Sequence, residues 1–392
     1  MESFDVVIIG GAVTGSSVAY HLAADPAFGG RVLVLEPDPG YTLSASALSA
    51  ASIRQQFSSA VNVKISLHGI EFLREIGDRL EVDGERPDVG LTEGGYLFLA
   101  TPAGRAVLAE NHRTQTTLGA DIAFLEPDGL AARFPWLATA DLAAGCFGLS
   151  GEGWFDGYAL VQAFRRKARS LGVEYRAVGA AGVICEGGRV TGVRLEGGGV
   201  VACGAVVNAA GAGGRAIAAS AGVEIPIAVK KRMIFTFKCA DPVPGCPLLI
   251  DPTGVYVRPE GEGFLCGVTP PEERDPDFDG DYAVEWDLFE DTIWPTLAAR
   301  APAFERIRPG RAWSGVYDMC AFDHNVLLGA PAELPNLYLA NGFSGHGLQQ
   351  APAVGRGLAE LIVHGGYRSL ELSDLSPDRV RLGRPVLEKN VV

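Results

Sequence analysis

The stretch from Phe4 to Glu36 limits the fold more than any other part of the chain. It reads FDVVIIGGAVTGSSVAYHLA and then, after a short linker, RVLVLE. An apolar run, a glycine turn, a helix-like stretch and a second apolar run ending in an acid predict strand, turn, helix and strand. Gly10 to Gly15 spell G-G-A-V-T-G, so Ala12 stands where a G-x-G-x-x-G pattern has its middle glycine. Gly10 permits the tight turn, and Gly15 lets the helix lie close to the strand. The amides at the helix start, at Ala12, Val13 and Thr14, then face a pyrophosphate with the helix dipole behind them. Glu36, with Pro37 after it, closes the second strand near the ~20-residue distance at which a carboxylate takes ribose hydroxyls. A carboxylate there repels a 2′-phosphate, so a nucleotide with a free ribose is expected rather than NADP.

A chain of 392 residues has the length of about two domains. With 47% hydrophobic and 20% charged residues it has the composition of a globular protein and not of a disordered one. Its 47 acidic residues outnumber 33 basic ones, for a net charge of −14. That balance argues against nucleic acid or an anionic membrane as a main partner, since both require a basic face. The seven cysteines (Cys146, Cys185, Cys203, Cys239, Cys246, Cys266 and Cys320) include no C-x-x-C pair and read as reduced thiols. Glu2 and Asp5 stand where a secretory leader would be basic, and no apolar run reaches the ~18 residues of a membrane span. A cytoplasmic protein is expected.

The organisation reads as interleaved. After Glu36 comes the small, polar SASALSAASIRQQFS, then the helix-like VNVKISLHGIEFLREIGDRL. From about Arg86 strand-like pieces such as GGYLFLA flank the helical GRAVLAENHRTQTTLG. A helix leads into a strand around GEGWFDGYALVQAFRRKARSLGVEY, and AGVICEGGRVTGVRLEGGGVVACGAVVNAAG reads as three short strands with EGGR and EGGG turns. IAVKKRMIFTFKC opens a second strand-rich insertion that runs through GVYVRPEGEGFLCGV. NLYLANGFSGHGLQQAPAVGRGLAELIV is a strand, a glycine loop and a helix. The expected class is α/β: a Rossmann-like nucleotide domain (1–85, 151–224, 311–392) interleaved with a mixed-sheet substrate domain (86–150, 225–310).

Two further glycine sites follow strands. VVNAAGAGG carries Ala210 and Gly211, and NGFSGHGLQQ carries Gly342, Gly345 and Gly347 just before a helix. That helix start can face the pyrimidine edge of a flavin and stabilise negative charge on the reduced ring. With GGAVTG, SAASIRQQFS, GGYLFLA, GEGWFDGYAL, VVNAAG, KKRMIFTF, WSGVYDM and GFSGHGLQQAP in place, the chain resembles the D-amino acid oxidase-like flavoproteins over nearly its whole length. Glycine oxidase, sarcosine oxidase, dimethylglycine dehydrogenase and the β-subunits of proline and opine dehydrogenases belong to that family. GFSGHGLQQAP is most similar to the branch of the mitochondrial FAD-dependent oxidoreductase-domain protein.

The resemblance implies FAD stretched across the three glycine sites. It also implies oxidation of an amine to an imine by hydride transfer to flavin N5. For the cofactor it adds Ser46, Ala47, Arg54, Gln55, Gln56, Gly315, Ser344, His346, Leu348 and Gln349 to the residues above. Departures from the family qualify this. Gly315 stands where sarcosine oxidase has its flavin-linking cysteine, with Cys320 five residues on, and SASALSAASIRQQ offers no linking histidine, so non-covalent FAD is expected. Leu265 aligns with a lysine that promotes reaction with oxygen, which favours a dehydrogenase over an oxidase. Gln349 replaces a carboxylate-holding lysine and argues against plain N-methylglycine.

Six residues are candidates for contact with substrate. Arg54 follows the small-residue segment, and Arg232 of KKRMIF matches a carboxylate-binding arginine of D-arginine dehydrogenase. A guanidinium fork suits a carboxylate, although KKR also reads as a solvated strand end. Tyr256 and Arg258 alternate in VYVR and share one strand face. Tyr317 and His346 complete the set. Cys320, Asp323 and His324 lack the spacing of a zinc site, so no metal is expected. Three alternatives stay open: an FAD-dependent 2-hydroxy acid or glycerol-phosphate dehydrogenase, a non-catalytic FAD-containing assembly protein, and a subunit that depends on a partner. Oxygen, a quinone or a partner protein are the candidate electron acceptors, and homo- and hetero-oligomers are both open.

Overall fold

In a computed structural model, which describes residues 2–388, the opening run becomes a strand buried on both faces, as a central parallel strand requires. This strand, β1 (Ser3–Ile9), leads into the helix Val13–Ala24 and β2 (Val32–Leu35). Next come β3 (Ser52–Ile53), the helix Ala60–Arg74, β4 (Tyr96–Ala100), the helix Arg105–Thr117, β5 (Ile122–Leu125), β6 (Ala144–Gly148) and β7 (Gly153–Trp154). The helix Gly157–Ser170 precedes β8 (Glu174–Arg176), β9 (Ala180–Glu186), β10 (Arg189–Leu195) and β11 (Val200–Asn208). The rest of the chain supplies β12 (Ile227–Cys239), β13 (Leu248–Ile250), β14 (Val255–Glu260) and β15 (Gly263–Val268). It ends with β16 (Ile307–Cys320), β17 (Leu327–Gly329), β18 (Leu337–Asn341) and the helix Gly347–His364.

Two eight-stranded sheets result. The first runs β17-β18-β11-β1-β2-β8, parallel from β18 to β8, with the β9–β10 hairpin attached to β11. Val6 and Ile8 pack on one face against Val18, Leu22, Val354 and Leu358, and Val7 and Ile9 pack on the other with Val206 and Leu339. Each such side chain contributes ~1.5–3 kcal/mol when fully buried. The second sheet runs β16-β12-β15-β14-β13-β4-β6-β5 and is antiparallel except where β13 meets β4. Its strands come from two separated stretches, so the mixed, interleaved architecture expected from the sequence is the one that forms.

The cut read at residue 311 falls inside β16, which pairs with β12 from Ile307 to Cys320. The same strand reaches the first sheet. The amide of Ser344 donates to the carbonyl of Asp318 at 2.9 Å, that of Gly342 donates to the Asp318 carboxylate, and Met319 forms a bridge with Phe343.

Candidate active site

A cavity of about 780 Å³ lies between the carboxyl ends of β1, β2 and β11 and one face of the second sheet, the usual crevice for ligands in open α/β sheets. At one end the glycine turn behaves as its sequence predicts. Gly10 has φ +95°, and a Cβ there would strike the Ala209 carbonyl. A Cβ on Gly15 would collide with the Gly10 carbonyl oxygen, so the helix closes directly onto the turn. Ala12 occupies the N-cap without a side-chain cap, and Ala12, Val13 and Thr14 line the cavity. Glu36 is fixed beside them: its carboxylate accepts from the amides of Gly11 at 2.8 Å and Asp38 at 2.9 Å. Burial raises its carboxyl above the ordinary value, and the two amides oppose that shift.

The second uncapped helix start faces the same cavity. His346 is the N-cap of Gly347–His364 and makes no side-chain cap bond, while Gly345, Gly347, Leu348 and Gln349 line the wall. Pro37, Ser46, Ala210, Gly211 and Gly315 line it as well. Two helix N-termini, a close-packed glycine turn and an anchored carboxylate fit FAD: phosphates belong at the first helix and the electron-rich ring edge at the second.

The remaining wall is arginine and tyrosine. Arg54 is buried, and its guanidinium donates to Nε2 of His346 at 2.9 Å and to the carbonyl of Gln56 at 3.3 Å. It also lies 4.4 Å from the ring centre of Phe57. His346 Nε2 is therefore an acceptor, and its ring proton sits on Nδ1. Burial, reinforced by Arg54, holds this imidazole neutral well below its usual range. The Arg54 amide donates to Gln349 Oε1 at 2.9 Å, which ties the early segment to the last helix. Arg232 lies over the Tyr317 ring at 4.8 Å, and Tyr96, Tyr256 and Tyr317 all line the cavity. The Arg232 fork is taken by Asp275, at 2.7 and 2.8 Å.

Several expectations need correction. Arg258 does not line the cavity. Its guanidinium donates to the carbonyl of Ala50 at 2.7 Å and pairs with Glu260, so it braces the loop behind the site. Gln55 and Gln56 also turn away: Gln55 Nε2 donates to the Gly151 carbonyl at 3.3 Å and Gln56 Nε2 to the carboxylate of Glu152 at 2.8 Å, which also accepts from the Gln55 backbone amide at 2.6 Å. Gly15 and Ala47 lie within helices, Gly342 and Ser344 in the loop before the last helix, and all four are outside the lining. The Ser344 hydroxyl, for example, accepts from the Cys320 amide at 3.1 Å. Leu265 is buried beside the Arg258 row and does not reach the cavity, so its oxygen argument lapses. Cys320 donates to Asp323, whose carboxylate is forked by Arg379 at 2.7 and 2.9 Å.

Sequence reasoning missed Tyr96, Asp275, Glu152 and Asp318. Glu152 is fully buried, and desolvation pushes its carboxyl up to about 7 against the pull of the Gln55 and Gln56 bonds. Asp318 lines the cavity, and burial lifts it to about 6. The clue to Glu152 was an acid between the glycines of GEGW; Asp275 carried none, being one acid among many in its loop.

Comparison with known proteins agrees with this geometry. Residues 5–361 match the family model DAO, FAD dependent oxidoreductase. The chain is 40% identical to FAD-dependent oxidoreductase domain-containing protein 1 of Xenopus laevis, over 100% of this chain and 85% of that protein. It is 28% identical to 4-methylaminobutanoate oxidase (formaldehyde-forming) of Paenarthrobacter nicotinovorans, over 92% of this chain and 43% of that protein. The solved structure of L-proline dehydrogenase from P. horikoshii superposes with a TM-score of 0.86 at 26% identity, covering 98% of this chain and 99% of that one.

Proposed function

The chain belongs to the DAO family of FAD-dependent oxidoreductases, and from that premise we propose that it oxidises a secondary amine or amino acid at the C–N bond, as a dehydrogenase rather than an oxidase. The observation that carries the proposal is the wall of Arg54, Arg232, Tyr96, Tyr256 and Tyr317 in the same cavity as the second uncapped helix. When bound, FAD supplies the acceptor for the hydride that leaves the carbon next to nitrogen. It is held without a covalent link: among the described residues lining the cavity none is cysteine, and the single histidine, His346, is committed to Arg54.

The protein's own part is placement. Arg232 takes the substrate carboxylate in its fork. Tyr256 and Tyr317 flank the carbon skeleton and exclude water. His346, neutral and with Nε2 turned to Arg54, orients that arginine and moves no proton. An amine that arrives neutral needs no strong base to lose hydride. Among the described residues no lysine lines the cavity, and both arginines are engaged by neighbours, which supports an acceptor other than oxygen. The first sheet with its helices forms the FAD-binding part, and the second sheet through β16 forms the substrate part.

Anaerobic bleaching of the visible flavin band by N-methyl, cyclic and D- or L-amino acids, with 2-hydroxy acids as controls, tests the reaction class. Bleaching by one amine class supports the proposal; bleaching by hydroxy acids alone, or by no compound, refutes it. Arg232→Ala is expected to raise KM more than tenfold, over ~1.4 kcal/mol of binding, and unchanged kinetics would remove that residue from the site.

A further inference from the structure

Residues 269–285 form an irregular strap, with one short helical turn at Glu272–Arg274, laid against the basic triplet of β12. Lys230 donates to the carbonyl of Asp275 and pairs with Asp277 at 3.1 Å. Lys231 pairs with Glu285 at 2.7 Å. Arg232 holds the Asp275 carboxylate with both arms of its fork. The Phe278 amide donates to the carbonyl of Val229 at 2.8 Å, and the Ser314 hydroxyl donates to that of Tyr282 at 2.6 Å. Phe278 and Tyr282 meet edge to face and are only half-buried, and most of the strap is exposed. Charge pairs and a few hydrogen bonds therefore pin it, with little apolar surface to keep it down.

Arg232 and Thr269, where the strap begins, both line the cavity. A carboxylate of the protein thus sits on a guanidinium that faces the site. We propose that Asp275 is a specificity-determining residue, an internal competitor that keeps the Arg232 fork and the strap closed until a substrate carboxylate takes its place. Exchanging one carboxylate for another preserves the fork's charge-assisted bonds. A neutral amine offers nothing in exchange and leaves the strap closed. The proposal rests on reading Arg232 as the seat of the substrate carboxylate.

The test uses the FAD-loaded full chain, with propionate as probe and propionamide as neutral control. Affinity is read from perturbation of the flavin absorption band, and strap release from the rate of limited chymotrypsin cleavage at Phe278 and Tyr282. A competitor that leaves about one fork in ten open weakens apparent affinity about tenfold, so Asp275→Asn is expected to bind propionate five- to tenfold tighter. Its strap should be cut faster without ligand. In the unaltered protein, propionate but not propionamide should speed the cleavage. Propionate that binds without changing cleavage in the unaltered protein, or with equal affinity in Asp275→Asn, overturns the competitor and leaves the Arg232 reading intact. Propionate that binds neither protein overturns the reading of Arg232 and the proposal with it.

Discussion

Replacing Glu152 by glutamine should leave a pH signature that a simple packing defect cannot imitate. The carboxylate is fully buried and accepts from the Gln55 amide and from Gln56 Nε2. Glutamine keeps one acceptor oxygen and turns an amide toward the other donor. Gln56 can answer by rotating its carboxamide, because its Oε1 is buried without a partner, but it then gives up its 3.3 Å bond to the Tyr96 carbonyl. The net cost is that of about one hydrogen bond, ~1 kcal/mol. Against this stands the cost of ionising Glu152 in the folded state. Its carboxyl titrates near 7 in the native protein against an ordinary 4.5. The native state thus holds this proton more tightly than the unfolded chain does. The stability tied to it is full below about 4.5 and is lost as pH rises through 7, for a total of about 3 kcal/mol. Glutamine does not titrate. In urea denaturation of the FAD-loaded proteins, the variant should be less stable by ~1 kcal/mol near pH 4 and more stable by ~2 kcal/mol near pH 8. The difference between the two proteins cancels every titration they share. A gap that stays constant from pH 4 to 8 would refute the assignment of a raised carboxyl to Glu152.

The other predictions are simpler. Gly15→Ala puts a methyl group into the Gly10 carbonyl oxygen, and the protein should purify without its 450 nm flavin band; normal flavin content would show that the turn tolerates a wider spacing. Arg379→Met strips the fork from the buried carboxylate of Asp323 and should cost about 3–5 kcal/mol in a denaturation midpoint, so a loss below 1 kcal/mol would contradict the pairing. His346 should show no imidazole titration by NMR between pH 5 and 8, because burial and Arg54 hold it neutral; a titration near 6.5 would separate it from that guanidinium.

The glycine turn, the acid closing β2 and the loop before the last helix were legible because each rests on local chain geometry. Gly10 and Gly15 are required where backbone meets backbone, and such contacts lie within a few residues of one another or follow a strand of recognisable pattern. Glu36 was legible for the same reason, since one crossover unit fixes its distance from the turn. Side-chain direction was harder. Gln55 and Gln56 follow Arg54 directly, yet the three part company because Glu152, almost a hundred residues away, claims the glutamines. Tyr256 and Arg258 do share a strand face, but only the first reaches the cavity, since Ala50 and Glu260 hold the second. Asp275 was invisible among neighbouring acids until folding set it against Arg232. In each case the deciding partner is distant in sequence, where no spacing rule reaches.

The β16 strand works as a single beam shared by both halves of the molecule. Along its length it is bonded into the second sheet, and at its far end Asp318, Met319 and Cys320 carry the loop that opens the last helix of the first. Swinging one sheet off the other would break those three hydrogen bonds and the Met319 bridge together, at ~1 kcal/mol or so apiece before any apolar surface is exposed. Thermal motion does not open such a joint in a graded way. If the strap opens as proposed at Arg232, it would move against a pocket floor that this joint keeps aligned.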